Sequence, residues 1–155
     1  MKIVRNGRNP GSSSSAVSIL DGDGGLGLHV GPMAMKLAIQ KAKQFGIGCV
    51  IVKNAGHLGG AGYHTSLAAK EGCIGQVMYQ NKTSHRYQSI FYLSLVSYQS
   101  KLQNFIIQCF GAPGGGLMCP TFGAEPRFGT HPMSWAAPGG KTEADFLFDA
   151  ATTQV

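Results

Sequence analysis

Apolar and polar positions follow two different rhythms along this 155-residue chain, and the changes of rhythm mark its elements. Residues 1–15 are polar and end in Ser12–Ser15, the composition of a flexible segment. Ala16–Leu20 alternates weakly and predicts a short strand, and Asp21–Gly31 predicts a glycine-rich loop. From Pro32 to Phe45, Met33, Leu37, Ala38 and Phe45 recur at helical spacing, with Lys36, Gln40, Lys41 and Lys43 mostly opposite. Pro32 suits a first turn and Gly46 a stop. Ile47–Lys53 is a buried-type strand. Gly60–Glu71 is a second helix with Tyr63, Leu67 and Ala68 inward, closed by Gly72, and Ile74–Gln80 is another strand.

Strand, helix, strand, helix, strand is an α/β or α+β order. Residues 81–109 then break the pattern, with neither helical nor strand periodicity and no glycine or proline. Turn chemistry resumes at Gly111–Gly116. Pro132–Ala137 and Phe146–Asp149 are strand candidates either side of the Pro138–Lys141 turn. The chain stops at Val155 without a closing helix, which reads as truncation.

Composition narrows the function classes. A 43% hydrophobic, 13% charged chain is globular and long enough for one core. The net charge of +6 comes without a Lys/Arg stripe interleaved with stacking aromatics, so nucleic acid is not expected and an anionic small ligand fits equally well. Cys49, Cys73, Cys109 and Cys119 show no CxxC and no close Cys/His spacing, which argues against a zinc site or a disulfide framework. The N-terminus lacks the apolar core of a signal peptide, and residues 90–107 are interrupted by polar side chains too often for a membrane span. The expectation is a soluble cytoplasmic protein without a metal.

The 23 glycines cluster, and two clusters invite chemistry. Gly22, Gly24 and Gly27 satisfy G-x-G-x-x-G between a strand and a helix. A dinucleotide fingerprint wants an acidic residue about 20 positions on, and residues 40–50 offer none. Asp21 and Asp23 would also repel a pyrophosphate. A tight acidic connection is the better reading, and an EF-hand fails because the twelfth position is Pro32. In residues 48–63, GCVIVKNAGHLGGAGY, a β-branched strand delivers His57 into a loop nearly free of side chains. Such a loop admits a flat ligand, and a histidine exchanges a proton near neutral pH. His64 reads as a surface or packing residue. Asp149 reads as the cap of a following helix or as an acceptor for ribose hydroxyls.

DGDGGLGLHVGPMAMKLAIQKAKQFGIGCVIVKNAGHLGGAGYHTSLAAKEGCIG, then GAEPRFGTHPMSWAAP, then FLFDAATT together resemble the malate/L-lactate dehydrogenase family of the non-Rossmann type. Ureidoglycolate and sulfolactate dehydrogenases and cyclic imino acid reductases belong to the same group. The resemblance covers about residues 17–80 and 110–154. It implies a nucleotide-binding domain with a largely antiparallel or mixed sheet and flanking helices, NAD or NADP as cofactor, and hydride transfer between nicotinamide and a small 2-hydroxy/2-oxo acid or cyclic imine. It also implies a homodimer, and it disposes of a Rossmann role for Gly22–Gly27.

Carried over residue by residue, the family's N-S-x-H-F-G loop falls on Asn54-Ala55-Gly56-His57-Leu58-Gly59, making His57 the catalytic candidate. D-M-A-T falls on Asp149-Ala150-Ala151-Thr152, with Ala in place of Met, and G-T-N-P falls on Gly129–Pro132, with His131 in place of Asn. The cofactor-binding set implied is Asn54, His57, Gly59, Thr130, Asp149, Ala150 and Ala151. Arg127 receives no role.

The family's earlier S-H-G segment and its long C-terminal portion have no counterpart here. Residues 16–155 are therefore expected to form a partial NAD(P)-binding domain, incomplete and inactive alone, interrupted by a non-family insert at about 81–109. Translated intron sequence would explain that insert, and a mature transcript encoding it would refute the idea. A non-enzymatic nucleotide-binding module and a noncatalytic dimerisation partner are the alternatives. NADH titration and co-purification with a longer relative would separate them.

Overall fold

The computed structural model describes residues 2–6, 15–80, 89–97, 119, 122–124, 132–140 and 142–151, the strands at 2–6 and 89–97 by backbone alone. Among the described residues, seven strands and two helices follow the order β1 (Lys2–Asn6), β2 (Val17–Asp21), α1 (Gly27–Phe45), β3 (Ile47–Ala55), α2 (Ala61–Lys70), β4 (Cys73–Gln80), β5 (Ser89–Ser97), β6 (Pro132–Ala137) and β7 (Phe146–Ala151). They form one sheet in the order β1-β2-β3-β5-β4-β6-β7. Only β2 and β3 run parallel, joined through α1, and every other neighbouring pair is antiparallel. The expected mixed, largely antiparallel sheet with flanking helices is what the chain forms.

Both helices lie on one face. Ser18 and Leu20 of β2, Val50 and Val52 of β3, Cys73, Val77 and Tyr79 of β4, and Ser134 and Ala136 of β6 point to that face and are buried. The helices supply small residues against it. Val30, Ala34, Ala38 and Ala42 form an i, i+4 stripe on α1, flanked by Met35 and Ile39. A Cβ on Gly48 would press on the backbone of Ala38 and Ala42, and one on Gly75 would lie 2.7 Å from the Ala68 methyl. Each helix therefore rests almost on the strand backbone beneath it. Burying Met35 and the two β3 valines stabilises the core by about 1.5–3 kcal/mol per side chain.

Of the residues expected inward, Ala38 and Ala68 are buried and Leu37 and Leu67 pack against the core, while the rest depart from expectation. Met33 and Tyr63 are exposed, Leu37, Phe45 and Leu67 are half-buried, and Lys41, expected outside, is buried with its Nζ donating to the Ser15 carbonyl at 2.5 Å. Where the helices come nearest the sheet, at Gly48 and Gly75, it is alanines that face in.

Three further expectations change. α1 begins at Gly27, so Pro32 sits in its second turn rather than its first, and the glycine loop is shorter. Residues 1–15, expected as a flexible segment, contribute β1, paired antiparallel with β2. Residues 81–109, expected to lack strand character, contribute β5, which bridges β3 and β4 by pairing with both. The backbone ladder assigns that strand where side-chain alternation does not.

Candidate active-site loop

Asn54, one residue before the end of β3, has φ 54° and lies where the ladder with β5 shifts register between Val52 and Ala55. Asparagine tolerates this left-handed conformation better than most residues. Its Nδ2 donates to Asp21 Oδ1 at 3.2 Å, while Asp21 Oδ2 pairs with Lys53 Nζ at 3.0 Å and Oδ1 accepts the Asp23 backbone N–H. The Asp23 N–H, then Lys53, then Asn54 hold the Asp21 carboxyl below its usual range. Asp21 thus braces the loop from beneath.

The two glycine connections interlock. Gly22 N–H donates to the Lys53 carbonyl, Gly24 N–H to the Asn54 carbonyl and Gly56 N–H to the Gly25 carbonyl, all within 2.9 Å. A Cβ on Gly22 would sit 2.7 Å from the Ala55 methyl, and one on Gly27 would strike the carbonyls of Gly56 and His57. These glycines serve contact of chain with chain. The glycine-rich 22–27 segment is a buttress for the histidine loop, as the tight acidic connection required.

On that support, Leu58 is buried and anchors the loop, while His57 is exposed. The His57 ring meets Tyr79 edge-on, with centroids 5.4 Å apart. Gly59 N–H donates to His57 Nδ1 at 2.9 Å. An accepting Nδ1 places the ring proton of neutral His57 on Nε2. Gly59 itself has φ 80°, and a Cβ there would lie 2.6 Å from Leu28 Cδ2. A residue with a side chain is doubly disfavoured at that point.

Asp149 arrives from β7. Its Oδ2 accepts the Gly62 N–H at 2.6 Å, capping α2 near its first turn across 87 positions of sequence. The expected cap of a following helix is corrected: the register Ser134↔Asp149 turns this carboxylate toward α2. α2 has no cap from its own N-cap residue Gly60 and no acid in its first turn, so the carboxylate complements both its free N–H groups and its dipole. Gly62 must lack a Cβ, which would approach Asp149 Oδ2 to 2.6 Å. A buried hydroxyl relay secures the strand: Ser134 Oγ donates to the Phe148 carbonyl and lies 2.8 Å from Thr65 Oγ1 of α2.

His64 is fully buried, its Nε2 2.8 Å from the Leu58 carbonyl. Burial pushes its pKa down, while the Leu58 carbonyl and Asp149 oppose that shift. It is a packing residue, not a surface one.

Asn54 at the end of β3 leads into the loop that carries His57 and Gly59, and Asp149 meets the helix that follows it. Ala150 is half-buried and Ala151 exposed on the same strand, and Thr130 lies outside the described residues. Sequence reasoning missed the bracing role of Asp21, the Ser134–Thr65 relay and Tyr79. The i, i+2 pairing of Tyr79 with buried Val77 was the available signal for Tyr79. Among the described residues no group of three or more His, Cys, Asp or Glu side chains could hold a metal ion, and no helix is long and apolar enough to cross a membrane.

The strand and the histidine loop lie within the stretch of the chain that matches a family. The profile of the malate/L-lactate dehydrogenases matches residues 11–89, half of the chain. The chain belongs to the malate/L-lactate dehydrogenase family. It is 36% identical over 156 aligned positions to the malate dehydrogenase of Pyrococcus abyssi, covering 100% of this chain and 31% of that enzyme. It is 32% identical over 142 positions to the L-sulfolactate dehydrogenase of Methanocaldococcus jannaschii, covering 92% and 31%. The solved malate dehydrogenase of Pyrococcus horikoshii superposes with a TM-score of 0.68 at 34% identity, over 99% of this chain and 32% of that one. The chain spans about a third of the length of these relatives.

Proposed function

We propose that this chain carries the proton-handling histidine and part of the nicotinamide site of an NAD- or NADP-dependent 2-hydroxyacid dehydrogenase. One observation carries the reading: an exposed His57, with its Nε2 proton fixed by Gly59, stands on a glycine loop whose following helix is capped by Asp149. The glycine-lined surface fits the nucleoside end of such a cofactor. A Cβ on Gly60 would find only Asp149 Oδ2, 4.0 Å away, so the space over this backbone is open to a flat ring. Asp149 uses one oxygen on α2 and, being exposed, has a second to offer a ribose hydroxyl. The same carboxylate makes the start of α2 a poor seat for a pyrophosphate.

When bound, the cofactor would supply or accept the hydride. The residues here handle the oxygen. Nε2–H of His57 donates a hydrogen bond to the 2-oxo oxygen, stabilises its developing negative charge and passes its proton on as solvent water supplies another to the ring. Tyr79 and buried Leu58 keep the ring from swinging away. Asn54 holds the turn with its amide engaged on Asp21. Ala150 and Ala151 line the strand beside Asp149, and Thr130 completes the proposed cofactor set. A small 2-hydroxy or 2-oxo acid is the substrate class, and a homodimer is the proposed assembly.

The test is oxidation of NADH or NADPH by the 2-oxo acids corresponding to malate, lactate and sulfolactate, with and without His57→Gln. Turnover lost by about 100-fold or more on substitution supports the reading. Turnover indifferent to His57 contradicts it.

A further inference from the structure

We infer that His64 is a positioning residue that aims His57 through the Leu58 carbonyl. The inference rests on His57 being the proton-handling residue. His64 is the fourth residue of α2 and 1% exposed. Its Nε2 reaches back six positions to the Leu58 oxygen at 2.8 Å, which makes Nε2 the protonated nitrogen. Nδ1 is then a bare acceptor, and it has no hydrogen-bond partner among the described residues.

That orphan nitrogen is the informative detail. The ring fills a dent over α1 at Gly31, where a Cβ would come within 2.5 Å of His64 Cε1 and 2.9 Å of Nδ1. A phenyl ring would fill the same dent with no polar atom left unsatisfied. What the imidazole adds over a phenyl ring is the Nε2–H. The only described atom that proton serves is the carbonyl between His57 and Gly59. Three consecutive residues are thus pinned: His57 by the Tyr79 ring, Leu58 by burial and by His64, and Gly59 by its N–H to His57 Nδ1. Freeing the Leu58 carbonyl would let that peptide rotate and carry Gly59 N–H off Nδ1. His57 would then no longer be held with its proton on Nε2.

The test uses the 155-residue chain without cofactor or substrate, so its outcome is independent of whether the chain turns over. His57 tautomers are read from long-range nitrogen–proton correlations at about pH 8. Gly59 amide exchange reports the loop. In His64→Phe the His57 tautomers should mix and Gly59 exchange should quicken at least about tenfold, with β3 and β4 amides unchanged. His64→Gln, which keeps a donor, should restore both signatures. A folded His64→Phe with His57 and Gly59 unchanged overturns the inference, as does His64→Gln disturbed as much as His64→Phe. If His64→Phe does not fold, His64→Met is read in its place. If neither apolar variant folds, His64→Gln decides alone: retained signatures support the inference and lost ones overturn it.

Discussion

Two strand-to-helix connections, residues 22–26 between β2 and α1 and residues 56–60 between β3 and α2, are built from similar parts and do different work. Each carries a non-glycine residue at φ 54°, Asp23 in one and Asn54 at the entrance to the other. Each leads into a helix with no side-chain cap from its own N-cap residue and no acid in its first turn. The first connection spends its polar groups inward: Asp21 on Lys53 and Asn54, and the N–H groups of Gly22 and Gly24 on β3 carbonyls. The second presents His57 outward and receives Asp149 on the helix it begins. A glycine-rich turn after a strand is thus no sign of a ligand by itself. What separates the two is the side chain at hand: Asp21 is engaged with Lys53 and Asn54, whereas His57 stands exposed beside the open backbone of Gly60.

Breaking the contact between the connections should have the largest effect. Gly27→Val would drive its side chain into the Gly56 and His57 carbonyls, and thermal or urea unfolding should show a loss of about 3 kcal/mol. Asp149→Ala removes the cap of α2 and should cost about 0.5–2 kcal/mol while weakening nicotinamide nucleotide binding.

Asp21→Asn tests the brace through pH. The Asp21 carboxyl is held below its unfolded value, so its stabilisation is full above that value, near 3.8, and is lost as pH falls through the lower folded one. The variant should melt slightly lower at neutral pH and should lose less stability on acidification than the wild type. An identical acid profile would remove Asp21 from the account. The smallest effect on stability belongs to His57→Gln, within about 0.5 kcal/mol for an exposed loop side chain, although the same change should abolish turnover. Stability would then follow the first connection and chemistry the second.

Much of this was legible in the sequence, for identifiable reasons. The β-branched run Val50–Val52 could only be a buried strand, and Gly46 and Gly72, at φ 82° and 73°, end their helical segments where expected. The histidine loop and Asp149 were visible as motifs, but their meeting was not. It depends on the antiparallel register of β6 with β7, which joins residues 87 positions apart at α2. The helix faces were legible in part: Ala38, Ala68, Leu37 and Leu67 meet the core, whereas Met33 and Tyr63 do not. The buried stripe of α1 is instead alanine-rich, set by the close rest of that helix on Gly48. β5 was missed because its assignment comes from backbone ladders to β3 and β4 rather than from any alternation within 89–97.

The claim that the histidine connection and not the glycine buttress faces the cofactor is tested most directly by titrating NADH into the labelled chain and following backbone amide shifts. The account predicts saturable shifts at Gly56, Gly59, Gly60 and Ala150, with Gly24 and Gly25 little moved. Shifts centred on Gly22–Gly27 with residues 56–60 and 150 still would contradict it.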